Sequence, residues 1–180
     1  MCLAAALLPV LLVATGAVRA EAIAPAPTCP DDAGWSDPTP PRHVFVNTWY
    51  VGTCGISALL ITGDAGHVLI DGATPEAGPM IVASLRTLGF DPKDVRVLLN
   101  THEHIDHAGG LAAIQQATGA PLRARRPGLI ALRKGDMDVR DPQVPFRMPA
   151  FPPVPIIETL PDNAEVRVGD LRIQTHATPG

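Results

Sequence analysis

The chain has 180 residues, 46% of them hydrophobic, and a net charge of −4. That length allows one domain or part of one, with enough apolar residues for a core. The densest basic cluster is Arg123-Ala124-Arg125-Arg126, which is too little for a nucleic-acid footprint and excludes that class of partner.

Residues 1–20 read as a secretory signal peptide. Leu3 to Val18 is apolar and rich in small residues, and Val18-Arg19-Ala20 places small residues where a signal peptidase cuts. Cleavage is expected after Ala20, although no Lys or Arg precedes the apolar stretch. The stretch is short for a membrane anchor, so the mature protein is expected in the periplasm or outside the cell, without a stable anchor. Residues 21–41 are Pro- and Ala-rich and read as an extended arm. Residues 42–180 form the domain proper.

Cys2 leaves with the signal peptide. Cys29 and Cys54 remain, an even pair in an oxidising compartment. A disulfide between them would tie arm to body and contribute about 3 kcal/mol in the chain-entropy model. The alternative is a buried Cys54 and a free Cys29.

His43 to Val51 and Ile56 to Thr62 read as two strands joined by a turn at Gly52-Thr53-Cys54-Gly55. After a turn at 63–66, His67 to Asp71 is a third strand, completing an antiparallel meander. Glu76 to Leu88 has apolar residues near helical spacing, and Gly89 supplies a stop. Val95 to Leu99 is an apolar run that reads as a buried strand. Leu111 to Thr118 is a helix, 121–124 a short strand and 127–134 a short helix. Asp138 to Pro155 holds the Asp141-Pro142 pair and five further prolines, and reads as an exposed, stiffened loop. Strands follow at 156–160 and 165–176, the latter folded at Val168-Gly169-Asp170-Leu171.

The chemistry concentrates between the buried strand and the next helix, in Thr101-His102-Glu103-His104-Ile105-Asp106-His107-Ala108-Gly109-Gly110. Three histidines and an aspartate within six residues have no packing use, and burying them unpaired would be costly. Zinc takes imidazole nitrogen and carboxylate oxygen. His102 and His104 alternate along an extended segment, so both can face one metal. Asp106 and His107 are adjacent, and a turn there can aim them at a second metal.

This pattern resembles the zinc motif of the metallo-β-lactamase superfamily. Asp31-Asp32-Ala33-Gly34-Trp35, Asn47 to Thr62 and Gly66-His67-Val68-Leu69-Ile70-Asp71-Gly72 resemble its secreted subclass B3 in particular. The resemblance implies an α/β fold, the αββα sandwich, here the amino-terminal half and the start of the second. It implies two zinc ions per complete domain. His102 and His104 would hold the first, and Asp106 and His107 the second. A metal-bound hydroxide, oriented by Asp106, would open the β-lactam ring of a small-molecule antibiotic. Asp71 would support the site by holding the loop or a ligand histidine. Trp35 either touches substrate or anchors the arm. Phe146, Met148 and Phe151 either wall the cleft or plug the loop onto the core. No covalent serine chemistry is needed, and Ser57 and Ser84 lack the S-x-x-K or G-x-S-x-G context for it.

In the family, a Thr-Pro-Gly such as 178–180 is followed by the third histidine of the first zinc site, and a second-site histidine comes later. The sequence is therefore expected to be the amino-terminal portion of a longer enzyme, with four of six ligands. His176 is read as a strand residue near the site, not a substitute ligand. Alternative readings are a lactonase or thioesterase of the same fold, or an inactive fragment should the product end at Gly180. The export signal and the arm with Trp35 argue against the thioesterase.

Overall fold

The computed structural model describes residues 28–178. The expected signal peptide lies outside them. Among the described residues no helix is long and apolar enough to cross a membrane.

Seven strands form one mixed sheet in sequence order: β1 (Arg42–Phe45), β2 (Thr48–Tyr50), β3 (Leu59–Ile61), β4 (His67–Ile70), β5 (Val95–Leu99), β6 (Leu122–Arg125) and β7 (Ile157–Leu160). The first four are antiparallel neighbours, and β4 to β7 are parallel. A separate antiparallel hairpin joins β8 (Glu165–Val168) to β9 (Leu171–Gln174). The helices are α1 (Ala77–Thr87), α2 (Ile105–Ala108), α3 (Leu111–Thr118) and α4 (Leu129–Lys134).

One expectation is corrected. His43 to Val51 is not one strand but the hairpin β1–β2, turning at Val46-Asn47. Val46 takes φ 48°, a left-handed conformation that a β-branched residue rarely adopts. The Asn47 side chain compensates by donating to the Thr62 carbonyl at 2.6 Å, and Thr62 N–H donates to the Asn47 carbonyl at 2.9 Å. The apolar run hid the turn because neither residue is a glycine.

The sheet has two apolar faces because successive side chains alternate sides. Leu60, Leu69, Leu98 and Leu122 point into the core shared with Ile81 and Leu85 of α1 and Leu111 and Ile114 of α3. Val68, Val97, Leu99 and Leu160 point the other way, onto Val166 and Val168 of the β8–β9 hairpin. The continuous apolar run of β5 follows from burial on both faces. Helix α1 ends as its sequence predicts: Gly89 takes φ 85°, and Phe90 N–H closes onto the Leu85 carbonyl at 2.9 Å.

Two devices fix the crossover from β5 to β6, which carries the histidines. Gln115, buried on α3, donates to the carbonyls of Ala120 and Ile156 and accepts from Ile156 N–H, all at 2.8–2.9 Å. At the other end, Gly110 N–H donates to the Ala73 carbonyl at 3.1 Å, and Gly72 N–H donates to the His107 carbonyl at 2.8 Å. The backbones are so close there that a Cβ on Gly110 would lie 2.2 Å from the Gly72 oxygen.

Candidate metal centre

Parallel strands β4 and β5 end side by side, with Ile70 opposite Leu99. Asp71 follows the first and Asn100-Thr101 the second. Asp71 N–H continues the ladder to the Leu99 carbonyl at 2.9 Å, and the chain then turns into the left-handed region at Asp71 (φ 64°) and Ala73 (φ 51°). Non-glycine residues in that region cost about 1–3 kcal/mol each and cluster at functional sites.

Asp71, a residue 4% exposed, collects the start of the histidine loop with its side chain. Its Oδ1 accepts from Thr101 N–H at 2.8 Å and Asn100 Nδ2 at 3.2 Å. Its Oδ2 accepts from the Thr101 hydroxyl at 2.8 Å and faces His107 Nδ1 at 2.9 Å. An ionised carboxylate only accepts, so His107 carries its proton on Nδ1 and presents Nε2 as the free lone pair. The Asp71 hydrogen bond also raises the His107 pKa against the opposing effect of burial.

The backbone is extended at His104 (φ −70°, ψ 153°), and then His107 and Ala108 N–H both return to the His104 carbonyl, opening α2. That single turn brings the ligand candidates together. One ligating atom from each of His102, His104 and Asp106 lies within 4.8 Å of the others. His107 is adjacent: its ring centroid is 4.2 Å from that of His102, and its Nε2 is 3.5 Å from Asp106 Oδ2. Burial, followed by the neighbouring His107 and His104, lowers the His102 pKa. A low proton affinity at His102 favours the neutral imidazole that a metal requires. Two imidazoles and a carboxylate are a borderline-hard donor set suited to zinc, and no thiolate stands among them.

A cleft of about 270 Å³ opens over these residues, lined by Trp35, Ile105, Met137, Gln143, Met148 and Phe151 among others. Of the apolar wall candidates, Trp35 lines it while remaining 49% exposed, and Phe151 lines it at 6% exposed. Phe146 stands apart, 73% exposed and away from the cleft lining. The Cys29–Cys54 disulfide is formed, and it holds the arm beside the cleft. His176 lies past the end of β9 rather than in a strand, and it lines a hollow with Asn100, His102 and His104.

Sequence reading missed two residues of this surround. Asp141 Oδ2 lies 2.8 Å from His104 Nε2, and Gln143 lines the cleft beside it. Only the Asp141-Pro142 turn signal marked that place, and it carried no hint of a partner 37 residues away.

The family model of the metallo-beta-lactamase superfamily matches residues 51–180. The chain belongs to this superfamily. It is similar to the metallo-β-lactamase MIM-1 from Novosphingobium pentaromativorans, with 47% identity and a TM-score of 0.77 over 81% of this chain and 53% of that one. It is similar also to MEM-A1, a subclass B3 metallo-β-lactamase isolated from a soil metagenome library, with 42% identity and a TM-score of 0.78 over 82% and 55%. A more local match is to the N-acyl homoserine lactonase AttM of Agrobacterium fabrum, 35% identical over 81 residues, which cover 33% of this chain and 31% of that protein. The chain thus spans about half the length of the solved structures it matches.

Proposed function

We propose that this chain supplies the first half-site of a secreted, zinc-dependent hydrolase that opens the β-lactam ring of antibiotics. The observation that carries this reading is the gathering of His102, His104 and Asp106 within 4.8 Å at the floor of an apolar-walled cleft. Similarity to β-lactamases at 42–47% identity supports the substrate class.

His102 and His104 would hold the first zinc, and Asp106 and His107 the second. Bound zinc supplies a water of pKa about 7, hence a nucleophile at neutral pH, and polarises the carbonyl under attack. Asp106 would accept a hydrogen bond from that water and so orient it toward the substrate carbonyl. Asp71 holds His107 in the Nδ1–H tautomer, which leaves Nε2 to ligate. Trp35, Met148 and Phe151 exclude water from the apolar side of the substrate. In this reading residues 21–41 are an arm and residues 42–180 the domain it serves. The disulfide fits an oxidising compartment, in keeping with export by a cleaved signal peptide.

The test is hydrolysis of a chromogenic cephalosporin by the full-length protein. A chelator is expected to abolish it and added zinc to restore it, and His104→Ala is expected to lose zinc and most of the turnover. Turnover that survives prolonged chelation sinks the proposal. The AttM match favours one second reading, a lactonase on the same metal chemistry. Hydrolysis of acyl homoserine lactones without hydrolysis of any β-lactam would select it.

A further inference from the structure

The loop from Asp138 to Pro155 places a carboxylate directly against a ligand candidate of the metal centre. Asp141 Oδ2 lies 2.8 Å from His104 Nε2, and the Asp141 side chain is only 10% exposed. The loop also holds Asp141 from its own side. Asp141 Oδ1 accepts from Gln143 N–H at 2.7 Å, its N–H donates to the Asp138 carbonyl at 2.9 Å, and its carbonyl accepts from Val144 N–H at 3.1 Å. Three residues on, the chain makes a single 3-10 turn, Val144–Phe146. A carboxylate has no proton to give, so the proton of this contact sits on His104 Nε2. Nδ1 is then the His104 nitrogen left to ligate.

From these contacts we infer that Asp141 is a positioning residue: it fixes the tautomer and ring of His104 and thereby couples the proline-rich loop to metal binding. The inference rests on the zinc reading given above. The coupling is reciprocal, as any linkage between two binding events must be. A loop held by Asp141 presents His104 correctly, and a metal on His104 holds Asp141 and the cleft wall that follows it. Gln143, Met148 and Phe151 lie on that segment and line the cleft. Metal loading therefore shapes the substrate wall.

The experiment compares full-length wild type with Asp141→Ala, Asp141→Asn and Arg140→Ala. Arg140 pairs with Asp138 in the same loop, at 2.6 and 2.9 Å, without reaching His104. Zinc affinity is measured by chelator competition, and amide hydrogen exchange across 138–148 is measured with and without zinc. Asp141→Ala is expected to weaken zinc at least tenfold, the usual effect of losing such a carboxylate–histidine partner. In that variant zinc no longer slows exchange in the loop, as it does in wild type. Asp141→Asn, with one acceptor oxygen for two donors, falls between, and Arg140→Ala binds zinc as wild type does. Wild-type affinity in Asp141→Ala overturns the inference while leaving the metal reading intact. An equal loss in Arg140→Ala also overturns it, because the effect would then be general loosening of the loop. Failure of the wild type to bind zinc overturns the metal reading and this inference together.

Discussion

Asp71 Oδ2 lies 2.9 Å from His107 Nδ1 although 36 residues separate them in sequence, because β4 and β5 are parallel neighbours that end together. The same carboxylate accepts from Thr101 N–H, the Thr101 hydroxyl and Asn100 Nδ2. Asp71→Ala strands these donors, and hydrogen bonds to a charged group are worth more than neutral ones, so about 3 kcal/mol of stability is expected to go. Second-site metal affinity is expected to fall about 10- to 100-fold. Asp71→Asn tolerates the left-handed φ and should recover part of the stability. Denaturant midpoints and zinc titration of the two variants check this, and an Asp71→Ala midpoint equal to wild type would show the network to be dispensable.

Gly110→Ala is expected to disturb the ligand loop without touching a ligand. A Cβ there would sit 2.2 Å from the Gly72 oxygen and 2.8 Å from Gly78 Cα. Both are backbone atoms that cannot rotate away. Overpacking of this kind costs about 3 kcal/mol. A lower melting temperature together with weakened zinc binding is the expected result, and an unchanged melting temperature would contradict the close approach of the two backbones.

Reduction of Cys29–Cys54, which spans 25 residues, is expected to lower stability by about 3 kcal/mol. The arm does not come away entirely, because Cys54 N–H donates to the Asp37 carbonyl at 2.8 Å and the Thr53 hydroxyl to the Trp35 carbonyl. Unfolding in denaturant with and without a phosphine reductant measures the loss, and limited proteolysis of 28–41 shows how far the arm is freed.

The outer loop should withstand mild acid. The Lys134 ammonium beside Asp136 and the Arg140 guanidinium beside Asp138 hold both carboxyls below the ordinary range. A carboxyl depressed in the folded state adds stability above its unfolded pKa, near 4, and loses it as the pH falls through the folded value. The amide resonances of Met137 and Arg140, which donate to these carboxylates at 2.8 and 2.9 Å, are expected to hold steady from pH 7 to about 4.5 and to shift only below that. A transition near pH 6 would show that other groups control the loop.

The parts of the molecule legible in sequence are those whose signals are local. The helix of Leu111 to Thr118, the Gly89 stop and the turn at Gly169-Asp170 follow from apolar spacing and glycine placement. The four ligand candidates crowd into six residues and announce themselves. The β1–β2 turn was hidden because Val46 adopts a backbone conformation that its residue type disfavours, held there by the distant Thr62. Asp141 was hidden for a related reason. Its role depends on where the proline-rich loop lies against His104, and no spacing along the chain records that.

The ligand loop is also the crossover between β5 and β6, where Leu98 meets Leu122 and Leu99 meets Arg123. Hairpins such as β1–β2 and β8–β9 close short loops and form early, whereas parallel pairings must bring distant segments together and form late. His102 to His107 therefore reach their final arrangement only when the slow crossovers shut. On refolding, metal binding by this loop is expected to be timed by those crossovers and to return after the hairpins have formed.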